Sequence, residues 1–353
     1  MRTRARAPWV SSGTQPMSAV LAVVLLAAAG CGASNDPAEN SVDPPATSEM
    51  TATEEFEVPV TETTDIAYMT VDGADLLMDV FAPEGEGPWP VVVSFHGCCG
   101  DPEGKDIPPT VSVAEAAAAQ GMLVFTPTWL RFDDIPLTSA TPVEAADRAA
   151  CAVALAQQLA PEYGGDPTRT VVDGFSAGAI AVLGLASDGP RSEPVAGCAT
   201  NGLPTPATGF VLGDVESWLH TEFFDGAFAE DAAFMQDTIA SYLDPASWQL
   251  GPDAEVYVWA TEGDAQPRQI GDLVDDAGWF AQRDPDGSIQ ADLERLGQLS
   301  DGTVDYRDAV ELLYLRLDEA GIDATLDVYP GAHTTLDKVA DIVAYFESAA
   351  SSS

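Results

Sequence analysis

Residues 170–180 read Thr-Val-Val-Asp-Gly-Phe-Ser-Ala-Gly-Ala-Ile. The β-branched start predicts a strand, the pattern Gly-x-Ser-x-Gly predicts a sharp turn, and the small residues that follow predict a helix. Glycine is needed on both sides because a side chain there would clash with the neighbouring strand and helix. The turn raises the hydroxyl of Ser176 above the sheet, at the positive end of the helix.

A serine alone is a poor nucleophile. It needs a histidine base, a carboxylate that orients the histidine, and donors for an oxyanion. A glycine-rich turn in an α/β protein without catalytic function would show the same five residues, so the positions of possible partners decide between the two interpretations.

The predicted elements alternate around this turn. A hairpin over 65–71 and 76–81 comes first, with Asp72-Gly73 as its turn signal. Strands are then predicted at 90–95, 122–125, 170–175, 195–199, 255–260 and 324–329, and helices at 111–120, 141–163, 177–187, 304–320 and 336–349. Regular alternation predicts an α/β fold with a mostly parallel central sheet and helices on both faces.

Two segments interrupt the alternation. Residues 203–250 carry many aromatic side chains without a strand pattern, which predicts a helical cap insertion over an apolar cleft. Residues 266–302 form a polar insertion. Pieces of it within 284–308 resemble half of a calcium loop, but each lacks part of the ligand set, so turns and helix caps explain them better.

The charge balance excludes one class of partner. The chain has 353 residues, 57 acidic and only 14 Lys and Arg, for a formal net charge of −43. Phosphate binding needs the opposite sign, so nucleic acid is excluded as a partner. The acid residues are spread along the chain, as on a well-solvated surface.

The N-terminal residues read as an export signal. Residues 1–30 combine a basic start with a short apolar run, and Ala28-Ala29-Gly30-Cys31 resembles a bacterial lipoprotein box. Cys31 would then be the lipidated first residue of a protein held at the outer face of the membrane; an ordinary cleavage site is the alternative. Residues 31–58 predict a disordered acidic tether, and residues 59–353 the folded domain.

Four further cysteines follow, namely Cys98, Cys99, Cys151 and Cys198. In an exported protein they suggest up to two disulfides, for which three pairings are possible. No cysteine and histidine spacing suggests zinc.

The candidate partners of Ser176 follow later strands. Of the three histidines, His333 comes directly after the last predicted strand, at the edge of a parallel sheet where ligands bind, and is the candidate base. Asp264 follows the preceding strand and is the candidate acid. Glu262 is its close rival and Asp272 a distant one.

The order Ser176, Asp264, His333 matches the α/β-hydrolase fold. The loop His96-Gly97-Cys98-Cys99-Gly100 resembles the His-Gly-Gly-Gly loop of bacterial esterases and lipases, with cysteines in place of glycines. The segment Tyr-Gly-Gly-Asp-Pro at 163–167, together with the Gly-Phe-Ser-Ala-Gly turn, resembles carboxylesterases and dienelactone-hydrolase-like members of the superfamily. The resemblance covers about residues 64–348, apart from the two insertions.

This resemblance implies a serine hydrolase that cleaves small-molecule carboxylic esters through an acyl-enzyme, without cofactor or metal. The oxyanion donors would be the backbone N–H groups of Ala177 and of Cys98 or Cys99. A lactone or peptide hydrolase is an alternative within the same class. A catalytically silent binding protein for an apolar ligand is an alternative from another class.

Overall fold

The computed structural model describes residues 58–97, 104–130, 141–188, 193–215, 244–261, 268–269, 303–304, 306–330 and 334–351. The strands are β1 Val60–Val71, β2 Ala74–Pro83, β3 Trp89–Phe95, β4 Leu123–Pro127, β5 Gly165–Phe175, β6 Gly209–Gly213, β7 Glu255–Thr261, β8 Arg268–Gln269, β9 Thr303–Val304 and β10 Ala324–Tyr329. The helices are α1 Pro108–Ala119, α2 Thr141–Leu159, α3 Ala177–Asp188, α4 Tyr306–Glu319 and α5 Val339–Ser351. Short 3₁₀ turns lie at Gly104–Asp106, Ala160–Tyr163 and Pro245–Ser247.

Eight strands form one sheet in the order β1-β2-β4-β3-β5-β6-β7-β10. The first three pair antiparallel, and all pairs from β4 to β10 are parallel. The mostly parallel sheet predicted from the alternation is therefore confirmed. Because β5 lies between β3 and β6, its carboxyl end is near the middle of the sheet edge, where loops from both sides meet.

Helices cover both faces of the sheet. On one face, α1 and α5 pack over Val92, Val124 and Val171. On the other face, α2, α3 and α4 pack over Val91, Val93 and the other side chains of that parity. Many of the buried helical residues are alanine, and such small side chains let the helices approach the strands closely.

The predicted strand at 195–199 is wrong. Gly197 has a φ of +80°, and only Cys198 makes an isolated bridge, to Met69 of β1. The fourth strand of the parallel set is instead β6, Gly209–Gly213, which lies inside the stretch predicted as cap. The sequence pattern missed it because five residues bounded by glycines offer little periodicity, although all five are buried between β5 and β7.

The cap prediction over 203–250 is therefore wrong for these five residues, and Ala207 and Trp248 also belong to the core. Residues 216–243 lie outside the described residues, so a cap there stays a prediction. Of the polar insertion at 266–302, only β8 is described, and it pairs with β9. That pairing also explains why α4 begins at Tyr306 rather than at 304 as predicted. Residues 1–57 lie outside the described ranges.

Cys151 and Cys198 form a disulfide. It joins α2 to the turn that follows α3, and thereby selects one partner for each of these two cysteines. Cys98 and Cys99 lie outside the described residues. Among the helices that the structure describes, none is both long and apolar enough to cross a bilayer.

Candidate active site

Ser176 stands at the turn between β5 and α3, as predicted. Its φ is +54°, a left-handed conformation that residues other than glycine rarely adopt. The turn is held by two backbone hydrogen bonds: Ser176 N–H donates to the Gly213 oxygen at 2.8 Å, and Ala179 N–H donates to the Ser176 oxygen at 2.9 Å. Strain maintained by surrounding structure is typical of functional sites.

The two glycines of the motif are required by close approach. A Cβ at Gly174 would overlap the backbone of Gly178, on the first turn of α3. A Cβ at Gly178 would overlap the carbonyl oxygen of Phe95 at the end of β3. The sequence-based explanation of the motif is thus confirmed for both positions: one glycine admits the helix and the other admits the neighbouring strand.

Gly97 brings the start of the loop after β3 next to the nucleophile. A Cβ on Gly97 would lie 3.5 Å from Cβ of Ser176 and 3.3 Å from the Phe175 oxygen. The loop that resembles an oxyanion loop therefore begins in contact with the turn. On the other side, Ala177 is the first residue of α3, and the N–H groups of a first helical turn have no acceptor within the helix.

His96 is a structural histidine. Its ring is buried, its Nδ1 donates to the Gly97 oxygen at 2.7 Å, and its Nε2 side is closed by Gly104, where a Cβ would overlap the ring. Burial lowers the pKa of His96 to about 4, so the imidazole is neutral near pH 7. This enclosure does not suit a base that must exchange protons with a substrate.

Trp129 binds the start of the same loop through a hydrogen bond. Its indole Nε1 donates to the His96 oxygen at 2.8 Å, and Arg148 donates to the Trp129 oxygen at 3.0 Å. With 2 % of its surface exposed, Trp129 packs in the core.

Asp173 lies on β5, three residues before Ser176 in the chain. Its Oδ2 accepts a hydrogen bond from Ser94 Oγ at 2.6 Å. Burial is the main cause that raises the pKa of Asp173 to about 7, and the bond from Ser94 opposes this shift. The side chain belongs to the interior beneath the site, between β3 and β5.

Asp214 is the acidic residue that sequence reasoning missed. It follows β6 directly, has a φ of +42° and is fully buried. Its Oδ1 accepts from Thr261 N–H at 2.7 Å and its Oδ2 from Thr261 Oγ1 at 2.9 Å. A carboxylate directly after a predicted strand is the signal that points to Asp264, and the same signal at Asp214 is hidden because the sequence pattern places residues 209–213 in the cap.

The other predicted site residues are only partly located. Asp264 and its rival Glu262 follow β7, and His333 follows β10, but all three lie outside the described residues, as do Cys98 and Cys99. The strands that precede them are neighbours: β7 pairs with β6, and β10 pairs with β7. Among the described residues, no group of three or more His, Cys, Asp or Glu could hold a metal ion.

Neither a known family model nor a curated protein matches the chain. Solved structures do. A propionate-bound esterase from the planctomycete Thermogutta terrifontis is 15% identical, with a TM-score of 0.50 over 83% of this chain and 94% of that one. An inhibited esterase B from Lactobacillus rhamnosis is 15% identical, with a TM-score of 0.51 over 83% and 89%. A truncated carbohydrate esterase from gut microbiota is 12% identical, with a TM-score of 0.55 over 85% and 99%.

Proposed function

The chain has the α/β-hydrolase fold, and from this premise we propose that it is a serine hydrolase that cleaves carboxylic esters through an acyl-enzyme at Ser176. The observation that carries the proposal is the left-handed conformation of Ser176 between two glycines that have no room for a side chain. This strained turn places the hydroxyl of Ser176 at the carboxyl edge of the sheet, where substrates of α/β folds bind. That the solved structures of similar fold are esterases is consistent with this chemistry.

His333 is the proposed base and Asp264 the proposed acid, with Glu262 as the rival. The support is topological. The carboxyl ends of β5, β7 and β10 lie at one edge of the sheet, and in the sequence Ser176, the two candidate acids and His333 follow these ends. His96 is excluded as the base by its enclosure, which leaves His333 as the histidine that follows a described strand of the sheet.

The proposed reaction has two halves. Ser176 Oγ attacks the ester carbonyl carbon while His333 takes the serine proton, and the carbonyl oxygen becomes an oxyanion. N–H groups of Ala177 and of Cys98 or Cys99 stabilise that charge, each contributing about 3 kcal/mol in the transition state. His333 then gives its proton to the departing alcohol. Water, deprotonated by the same histidine, then attacks the acyl carbon; the bond to Ser176 Oγ breaks, the histidine returns the proton to that oxygen, and the acid is released.

We also propose that the protein acts outside the cytoplasm, anchored through a lipid at Cys31. The disulfide Cys151–Cys198 supports export, because such bonds persist in oxidising compartments. The basic start and apolar run of residues 1–30 support the same location.

The test is hydrolysis of p-nitrophenyl esters from acetate to palmitate. We expect the Ser176→Ala variant to lose turnover while its circular dichroism and melting temperature stay those of a folded protein. Ser187→Ala is the matched control: Ser187 lies in the last turn of α3 and its hydroxyl donates to the Gly184 oxygen. We expect this variant to keep activity.

Labelling with a fluorophosphonate probe identifies the nucleophile independently, and we expect the label on Ser176. Turnover retained by Ser176→Ala would refute the mechanism. Folded wild-type protein that neither hydrolyses esters nor takes the label would favour the silent binding protein instead.

A further inference from the structure

The carboxyl end of β6 joins the nucleophile turn to β7. The Gly213 oxygen accepts the N–H of Ser176, and the next residue, Asp214, donates its own N–H to the Trp259 oxygen at 2.8 Å. Gly213 has no room for a side chain, because a Cβ there would overlap the indole of Trp259. The ends of β5, β6 and β7 are thereby fixed to one another by backbone contacts.

Beyond this point a side chain replaces the backbone ladder. Asp214 has a φ of +42°, so β6 ends there. The Asp214 carboxylate supplies an acceptor to the next N–H of β7, that of Thr261, at 2.7 Å. Its other oxygen accepts the Thr261 hydroxyl at 2.9 Å. Each oxygen of this buried carboxylate therefore binds the same residue, so the end of β7 is fixed at two points.

We propose that Asp214 is a positioning residue: it holds Thr261 at the end of β7, and the position of the proposed acid, which follows Thr261 in the chain, depends on that contact. The inference rests on the proposed function. Thr261 is followed directly by Glu262, Gly263 and Asp264, the segment that carries the proposed acid. Asp214 is fully buried and Thr261 is 2 % exposed, so water cannot replace the two bonds without disrupting the packing around them.

The expected effect follows from the sensitivity of catalysis to position. A misplacement of about 1 Å in a catalytic group lowers turnover by about 100-fold. We expect Asp214→Ala to lower kcat by about that factor and to leave KM within about twofold, because the carboxylate is fully buried and both of its oxygens bind Thr261. Thr261→Val removes only the hydroxyl bond, so we expect a smaller loss, about tenfold, and Thr261→Ser to recover most of it.

The matched control is Thr126→Val. Thr126 is also a buried threonine near the end of a parallel strand, β4, but its hydroxyl has no hydrogen-bond partner among the described residues. We expect this variant to keep the kcat of the wild type. A second readout is the pH profile of kcat/KM: a displaced acid stabilises the imidazolium of His333 less, so the acidic limb moves to lower pH in Asp214→Ala.

Double substitution separates a positioning role from others. Asp264→Asn and Glu262→Gln identify the acid as the variant that loses turnover. If Asp214 acts through that acid, adding Asp214→Ala to the inactive variant lowers kcat no further. A further loss of about 100-fold would overturn the inference, as would an unchanged kcat and pH profile in folded Asp214→Ala.

The result also separates the inference from the proposed function. If Asp264→Asn and Glu262→Gln both keep turnover while Asp214→Ala loses it, Asp214 is itself the triad acid, and the positioning role is wrong although the serine mechanism stands. If Ser176→Ala keeps turnover, the proposed function is wrong, whatever the Asp214 variants do.

Discussion

Ionisation of Asp173 should make the protein less stable as pH rises from acid to neutral. The Asp173 carboxyl, on β5, is buried, and the hydrogen bond that it accepts from Ser94 Oγ favours the charged form less than burial disfavours it. The pKa of Asp173 is therefore about 7 in the folded protein, against 3.8 for a free side chain.

The change in the free energy of unfolding with pH follows from the difference in the pKa of Asp173 between the folded and the unfolded chain. An acid whose pKa is raised by folding keeps its proton in the native state while the unfolded chain releases it. This group is therefore neutral toward stability below about pH 4 and lowers the free energy of unfolding as pH rises to about 7. Each unit of pKa shift corresponds to about 1.4 kcal/mol, so the whole loss is about 4 kcal/mol, of which about 2 kcal/mol falls between pH 5 and pH 7.

Asp173→Asn removes the titration and keeps the shape of the side chain. The free energy of unfolding is measured with urea at pH 5, 6 and 7 for both proteins. We expect the wild type to lose about 2 kcal/mol more than the variant between pH 5 and pH 7. The difference in slope is the measured quantity, because a constant cost of the amide in its new site cancels from it. Asp253→Asn, at an exposed turn, is the control and should follow the wild type.

One result refutes this reasoning. If wild type and Asp173→Asn show the same change of unfolding free energy between pH 5 and pH 7, the carboxyl titrates at its ordinary pKa, and burial beside Ser94 does not control its charge.

Two further predictions concern stability away from the nucleophile. Lys105→Met should lower the free energy of urea unfolding by about 3–5 kcal/mol, because Asp79, which is 1 % exposed and pairs with Lys105 at 2.9 Å, loses its cation. Adding Asp79→Leu should recover much of this loss. An unchanged unfolding midpoint in the single variant would contradict the prediction. Replacing both Cys151 and Cys198 by alanine removes a link across 47 residues and should lower the free energy of unfolding by about 4 kcal/mol. Dithiothreitol should lower the unfolding midpoint of the wild type and leave that of the double variant unchanged. An equal effect of dithiothreitol on both proteins would argue against the disulfide.

Much of the fold could be predicted from the sequence because its signals are local. The run at 90–95 and the β-branched residues before Ser176 are buried on both sides, so they appear as continuous apolar stretches. Only glycine has the space to occupy positions 174 and 178 of the nucleophile turn, so these two glycines around the serine indicate the turn from the sequence alone.

The errors come from segments whose character depends on distant contacts. Residues 195–199 have strand-like composition, but the disulfide of Cys198 and the left-handed Gly197 hold them as a turn. Gly209–Gly213 has weak composition for a strand, and it is one because β5 and β7 pair with it on both sides. Local propensity is overridden where neighbours supply the hydrogen bonds.

The sequence by itself determined the α/β class, the place of Ser176 and the strands after which a base and an acid should be sought. These follow from periodicity, glycine sterics and the order of residues along one chain. Only the tertiary structure decided that His96 is enclosed, that Cys151 pairs with Cys198, and that Asp214 binds the end of β7. The physical reason is that burial and hydrogen-bond partners join residues far apart in the chain, and no local pattern records which of them meet.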